Sequence, residues 1–215
     1  MPLIRPDILN VYICGDTLID SGGRFARRKL LRLVEDWKLA AHAITHAHPD
    51  HQGCSHAVCE RFGIPLMCGE GDRGAVETGR LADLLPRPDA RLAAITAVLA
   101  GPAHHVSRTL TEGDEVGGMK VIETPGHTPG HLAFWGEDDR VLILGDVLFH
   151  RNPVTLRKGL TEPFYFATFD RRSNLESARK LAALTPQIIC FGHGAPLTDG
   201  DKFCRFVDDL CQGVG

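Results

Sequence analysis

The chain has no C-x-x-C pair, and its seven cysteines (Cys14, Cys54, Cys59, Cys68, Cys190, Cys204 and Cys211) are odd in number and scattered. A disulfide framework would need an even, patterned set. With no apolar signal core in Met1–Pro6 either, the expectation is reduced thiols in a cytoplasmic protein. No hydrophobic run approaches membrane-spanning length, so no membrane partner is expected. A basic excess is also missing. Lys and Arg total 24 against 27 Asp and Glu, a formal charge of −3, which argues against a surface built to hold nucleic acid. Internal repeats, linkers and low-complexity tracts are absent as well.

What remains is ordinary globular material: 215 residues, 43% hydrophobic and 24% charged, enough for one α/β domain with a full core over 1–215. Against that background one stretch stands out. Thr45-His46-Ala47-His48-Pro49-Asp50-His51 packs three imidazoles and a carboxylate into six positions after the apolar run Leu39–Ile44. Four strong donors in so short a span cannot all surround one ion with good geometry, so the spacing suits two neighbouring ions. His46 and His48, two apart on a strand end, point the same way and can share one cation. Asp50 and His51, turned the other way, can reach a second.

Along the chain, residues 8–14 and 17–19 read as a hairpin about Gly15-Asp16. Asp20-Ser21-Gly22-Gly23 then opens a helix with Leu30, Leu33, Val34 and Trp37 at helical spacing. Asp20 suits two compatible roles, a helix-cap acid or a group that orients the ligand loop. Residues 51–62 read as a helix stopped by Gly63, and 64–68 as a strand. The span 70–107, with Pro86, Pro88 and Pro102, reads as a helical insertion over the sheet edge, and His104 and His105 at its end read as surface residues. Strand 119–123 leads into Thr124-Pro-Gly-His127-Thr-Pro-Gly-His131, whose prolines and glycines bar a helix and make a rigid loop that aims a side chain. His131 begins a strand to Trp135. The apolar strand 141–144 ends at Gly145-Asp146, where nothing local would otherwise excuse a charge. Residues 147–170 show little periodicity, 172–184 form an amphipathic helix, strand 187–191 ends at Gly192-His193-Gly194, and 201–211 form a closing helix.

Taken together, His46-x-His48-x-Asp50-His51, His127 in its loop, Asp146 after Gly145 and His193 between two glycines resemble the metallo-β-lactamase superfamily of hydrolases, from Asp20 to Pro196. The resemblance implies an α/β (α+β) fold, a four-layer αββα sandwich with the site at one edge between two sheets. It implies one metal on His46, His48 and His127, a second on Asp50, His51 and His193, and Asp146 as the bridge. Two divalent ions are then the expected cofactors, with zinc first and iron or manganese compatible with an imidazole–carboxylate set free of thiolate. The T-P-G-H-T-P-G-H loop is similar to that of glyoxalase II, although the chain stops at Gly215, where that thioesterase would continue into a helical domain.

The chemistry implied is attack of a metal-bridging hydroxide on the carbonyl of a small-molecule thioester, lactone or ester, with Asp50 relaying a proton. Asp50, Asp146 and Tyr165 are the catalytic candidates, and His150 is a further candidate to help a substrate oxygen. Cys54, close behind His51, reads as a packing residue. Two alternatives share the fold: a mononuclear-iron persulfide dioxygenase and an RNase Z-like nuclease, the latter disfavoured by the missing basic arm.

Overall fold

The computed structural model of the chain describes residues 2–4, 7–87 and 89–213. Met1, Arg5 and Pro6 of the N-terminal stretch, Pro88 of the insertion and the end at Gly215 lie outside the described residues.

The first half runs β1 (Pro2–Ile4), β2 (Leu9–Asn10), β3 (Tyr12–Cys14), β4 (Thr17–Ile19), α1 (Arg27–Leu33) and β5 (Ala41–Ala43). It continues with α2 (Pro49–Gln52), α3 (Ser55–Phe62), β6 (Leu66–Gly69), α4 (Glu70–Thr78), α5 (Ala90–Leu99) and β7 (Arg108–Leu110). The second half runs β8 (Glu115–Val116), β9 (Met119–Glu123), β10 (Leu132–Gly136), β11 (Val141–Ile143), β12 (Phe149–Arg151) and β13 (Lys158–Thr161). It closes with α6 (Arg171–Ala183), β14 (Ile188–Cys190) and α7 (Gly200–Gln212).

Two five-stranded sheets form, in the orders β3-β4-β5-β6-β7 and β14-β11-β10-β9-β8. Side chains alternate across each strand, and three apolar clusters record the result. Ile19, Ala43 and Met67 of the first sheet meet Val121, Phe134 and Ile143 of the second in a layer between the sheets. Their neighbours Leu18, Leu66 and Cys68 face outward onto Leu30, Val34 and Val58 of the first helical layer. Likewise Ile122, Ala133 and Ile189 turn outward onto Leu175, Leu181, Phe203 and Val207 of α6 and α7. Helix, sheet, sheet, helix is the αββα order expected from the sequence.

Strand direction then positions the site. β4 and β5 pair in parallel. β9 and β11 both run antiparallel to β10, and β14 is parallel to β11. Within each sheet these strands therefore end at the same rim, and Asp20, the 46–51 loop, His127, Asp146 and His193 each follow one of those ends. A hydrogen bond joins the two rims, from Leu132 N–H to Thr45 O at 2.7 Å, and within the second sheet Gly192 N–H donates to Gly145 O at 2.9 Å.

Several local expectations change. Helix α1 stops at Leu33, so Leu33 and Trp37 are exposed while Leu30 and Val34 are fully buried. The helix expected over 51–62 is broken at Gly53-Cys54. There the backbone of Gly53 lies so close to its neighbours that a Cβ would fall 2.4 Å from Arg24 N and 2.5 Å from Pro49 O. Gly63 does end α3, in the left-handed region at φ 65°. Within the 70–107 insertion, α4 went unread because Gly71 and Gly74 weaken its helical pattern. Gly71 is nonetheless required, since a Cβ there would lie 2.6 Å from the carbonyl carbon of Pro129. The unpatterned 147–170 span contains the β12–β13 hairpin, whose register is irregular. Among the described residues no helix is long and apolar enough to cross a membrane.

Candidate metal centre

His46 and His48 do not lie on a strand end as expected. Ile44 N–H, just after β5, still donates to Met67 O of β6, and the backbone leaves the strand ladder at Thr45. Thr45 N–H goes to the Asp20 carboxylate (2.7 Å), and Thr45 O accepts from Leu132 in the other sheet. The turn that follows still sends both imidazoles to one place. His46, His48 and His127 bring one donor atom each within 4.8 Å of one another, as do Asp50, His51 and His193, and as do His46, His51 and Asp146. The structure thus gathers all seven expected ligand residues. Asp146 sits at the centre: its Oδ2 is 3.1 Å from His193 Nε2, 3.3 Å from His51 Nε2, 3.7 Å from His127 Nε2 and 3.8 Å from His46 Nε2.

The surrounding hydrogen bonds assign the ring protons. Thr45 Oγ1 donates to Asp20 (2.9 Å to Oδ2), so it accepts from His46 Nδ1–H at 3.0 Å. His51 Nδ1–H donates to Asp20 Oδ2 at 2.8 Å. Thr168 Oγ1 donates to Phe164 O (2.9 Å), so it accepts from His127 Nδ1–H at 3.2 Å. His193 Nδ1–H donates to the Ile8 carbonyl. In each ring the outer nitrogen is thereby committed and Nε2 is aimed inward. Yet Nε2 of His46, His48, His51 and His127 and Oδ1 of Asp146 are buried without a hydrogen-bond partner. Five such orphans in one place would cost several kcal/mol, about 1–3 for each. A divalent cation accounts for them. Bonds of about 2.0–2.2 Å put two tetrahedral donors about 3.3–3.6 Å apart, and the separations around Asp146, from 3.1 to 3.8 Å, bracket that spacing. Space is kept for it: a Cβ on Gly192 would fall 2.2 Å from Asp146 Oδ1 and 2.6 Å from His51 Cε1.

Electrostatics agree with a site built for positive charge. Burial pushes the His46, His48 and His127 rings down, His48 to about 4, so these stay neutral lone-pair donors. Burial acts against the charged forms of His51 and His193 too, but the Asp146 carboxylate overrides it and carries His193 up to about 10. Asp146 is the counterpart: burial alone would raise it, and His193 and His51 hold it well below the usual carboxylate range. In the metal-free chain, protons on His51 and His193 thus balance the charge that cations would otherwise balance.

Three supporting residues were not singled out in the sequence. His131, the second histidine of the glycine–proline loop, accepts from Asp146 N–H at 3.1 Å through Nε2 and reaches Thr124 Oγ1 at 2.8 Å through Nδ1. Both nitrogens are used, so it orients Asp146 and is not free to ligate. Asp72 on α4 is wholly buried and accepts from Ala47 N–H (2.8 Å), Thr128 Oγ1 (2.7 Å) and Gly130 N–H (2.8 Å). It ties the loop of His46 and His48 to the loop of His127. Asn10 donates to Phe191 O and Gly194 O on either side of His193. The repeated T-P-G-H half-motif was the available signal for His131. Asp72 and Asn10 offered none, because each acts on backbone groups distant in sequence. Of the two roles open to Asp20, the structure shows the orienting one, and the 3₁₀ turn after it begins from Gly23 without a side-chain cap.

Other candidates fall elsewhere. Tyr165 is 82% exposed and its ring meets Phe166 edge-on, so the structure does not bring it to the cluster. It lies in a 3₁₀ turn, Tyr165–Ala167, none of whose residues is buried. His150 is committed to Ala195 O at 2.7 Å. Cys54 is buried against Gly23 O and belongs to none of the donor groups. His105 is exposed beside Glu77, whereas His104 joins His56 and Glu60 in a separate half-exposed trio.

Two openings bear on access. A cavity of about 560 Å³ is lined by Tyr12, Gly117, Lys120 and Asp139 and touches none of the seven. A groove of about 360 Å³ does reach the cluster, with His48, Pro49 and Asp50 in its wall. Asp50 is the one partly open member, its side chain 43% exposed and its Oδ2 3.3 Å from His193 Nε2.

Comparison with known proteins agrees with this geometry. The family model described as the metallo-beta-lactamase superfamily matches residues 10–193. The chain is 29% identical over 216 residues to the probable metallo-hydrolase YflN of Bacillus subtilis, covering 91% of this chain and 81% of that one. It is 31% identical over 191 residues to the hydroxyacylglutathione hydrolase GloC of Haemophilus influenzae, covering 86% and 82%. Among solved structures, TTHA1623 in a di-iron-bound form superposes with a TM-score of 0.71 at 28% identity, over 91% of this chain and 92% of that one. The chain belongs to the metallo-beta-lactamase superfamily.

Proposed function

We propose that this metal-dependent hydrolase holds two divalent cations, one on His46, His48 and His127 and the other on Asp50, His51 and His193, with Asp146 between them, and cleaves an acyl substrate. The observation that carries the reading is the convergence of Nε2 atoms on Asp146 Oδ2: those of His46, His51, His127 and His193 lie within 3.8 Å, and the first three are buried without a hydrogen-bond partner. Bound there, divalent cations supply Lewis acidity toward a carbonyl oxygen and lower the pKa of water toward neutrality.

The chain's own groups do the rest. Asp20, Thr45 and Thr168 keep a proton on the outer nitrogens, so the inner lone pairs of His46 and His127 are available at neutral pH and that of His51 becomes available as a cation displaces its inner proton. Asp50 stands where cluster meets groove. Burial would raise its carboxyl, but the hydrogen bond and charge of His193 more than offset that and leave it ionised at neutral pH. It can therefore accept a proton on the cluster side and return it to a leaving oxygen or sulfur.

Zinc, iron and manganese all suit imidazole and carboxylate donors, and the di-iron form of TTHA1623 favours including iron. A complete second trio of Asp50, His51 and His193 favours the two-cation hydrolase over single-iron dioxygenase chemistry, which would leave that trio idle. The test is elemental analysis of the purified protein together with a panel of thioesters, lactones and esters, assayed before and after chelation. Hydrolysis that is lost with the metal and restored by its return is expected. Oxygen consumption on glutathione persulfide with one iron per chain would reverse the assignment.

A further inference from the structure

Helix α5 uses its apolar residues in an unusual way. Leu92, Ile95, Thr96 and Leu99 recur at i, i+3, i+4 and i+7, the spacing of a face that normally packs on a core. Only Thr96 among them is buried, and Ile95 and Leu99 are each 45% exposed. The stripe lines the groove that runs to His48 and Asp50. The same groove is lined by Phe25, 79% exposed, and Phe166, 49% exposed. Large apolar groups left open around one groove mark a binding surface.

Charge is as informative as shape. Arg24 is the one cationic side chain in the groove wall among the described residues, and its Nη1 is already committed to Val98 O at 3.0 Å. A glutathione conjugate would bring two carboxylates and an ammonium to this surface. The remaining N–H groups of Arg24 could meet one of those carboxylates, and the desolvation of the other would go uncompensated. An aliphatic chain meets the opposite conditions: it needs no hydrogen bonds and gains from every methylene removed from water.

We propose that the substrate carries an apolar chain of four or more carbons on the acyl side of the scissile bond, seated between α5 and the Phe25 and Phe166 turns. Its carbonyl points to the cluster beside Asp50. The inference rests on the acyl-hydrolase reading above and specifies its substrate class. It departs from the substrate named for the Haemophilus relative.

The experiment uses the metal-loaded full chain. Thioesters with one leaving group and acyl chains from acetyl to decanoyl are compared with S-D-lactoylglutathione and with acetyl esters of lengthening alcohols. kcat/KM is expected to rise about two- to fourfold per methylene from butanoyl to octanoyl. Ile95→Asn is expected to lower the octanoyl-to-acetyl ratio about tenfold or more. Val98→Asn, on the same helix but outside the groove, should leave that ratio unchanged and so controls for helix stability. A flat acyl series, a rise only with the alcohol chain, or S-D-lactoylglutathione outrunning octanoyl would each overturn the inference and leave the hydrolase reading standing. Should no ester or thioester be cleaved, the hydrolase reading fails, and calorimetric binding of octanoate against acetate still decides the groove. Tighter octanoate binding that Ile95→Asn weakens supports it, and equal binding overturns it.

Discussion

The ligand rim and the groove wall lie side by side and are built on opposite rules. At the rim, polar groups are buried, the outer ring nitrogens of His46, His51, His127 and His193 each have a partner, and backbone, carboxylates and threonines hold the side chains. In the wall, apolar groups are exposed, and they come from a ten-residue helix and two 3₁₀ turns, segments with few partners of their own. The rim admits few sequences because many groups must agree at once. The wall asks only for apolar side chains of suitable bulk. A fold of this kind can therefore keep its chemistry while its substrate changes.

The sharpest way to break the contrast is at the rim. Asp146→Asn removes the charge shared by both trios, and loss of both cations with a fall in activity of about three orders of magnitude or more is expected. Metal content and kcat/KM check it. Asp20→Ala leaves the ligands in place but frees the protons of His46 and His51, and metal affinity should fall about 10- to 100-fold, read by competition with a chromogenic chelator. Asp72→Ala unties the two ligand loops and leaves two backbone N–H groups unpaired, an expected cost of about 3 kcal/mol in urea unfolding. If these three proved no more damaging than changes in the wall, the distinction between rim and wall would disappear.

Acidity sharpens the comparison further. His42 and His48 titrate at about 4 and His131 at about 3 in the folded chain, below the usual 6.5. A lowered folded pKa gives stability that is present above 6.5 and is lost as pH falls toward 3. His193, raised to about 10, has the opposite sign: its contribution is complete below 6.5 and lost as pH climbs through 10. Metal-free protein should thus be most stable near pH 6.5 and weaken on both sides. Bound cations replace the His51 and His193 protons, so the alkaline loss should vanish in the loaded protein. Thermal melts at stepped pH, with and without metal, check both limbs. The smallest effect belongs to the wall's outer surface, where Tyr165→Phe is expected to change kcat/KM less than twofold.

The same division governs what the sequence discloses. His46, His48, Asp50, His51, His127, Asp146 and His193 could be read because each follows an apolar strand and sits among glycines and prolines that only a turn explains. The four layers were implied by the family resemblance those residues carry, and β9, α6 and α7 lie within a residue or two of expectation. Asp72 and His131 escaped notice because their partners are backbone groups and neighbours set by tertiary structure. α4 was masked by Gly71 and Gly74, which it needs for close approach to the Pro129 turn. Tyr165 was singled out by residue type alone, and type does not reveal that a turn directs its ring to solvent.

The central claim is that separate sets of side chains hold two cations about Asp146, and metal content by plasma mass spectrometry tests it most directly. After loading and desalting, the wild-type chain should carry two equivalents, and His127→Ala and His193→Ala about one each. Full wild-type content in both variants, or no retained metal in the wild-type chain, would contradict it.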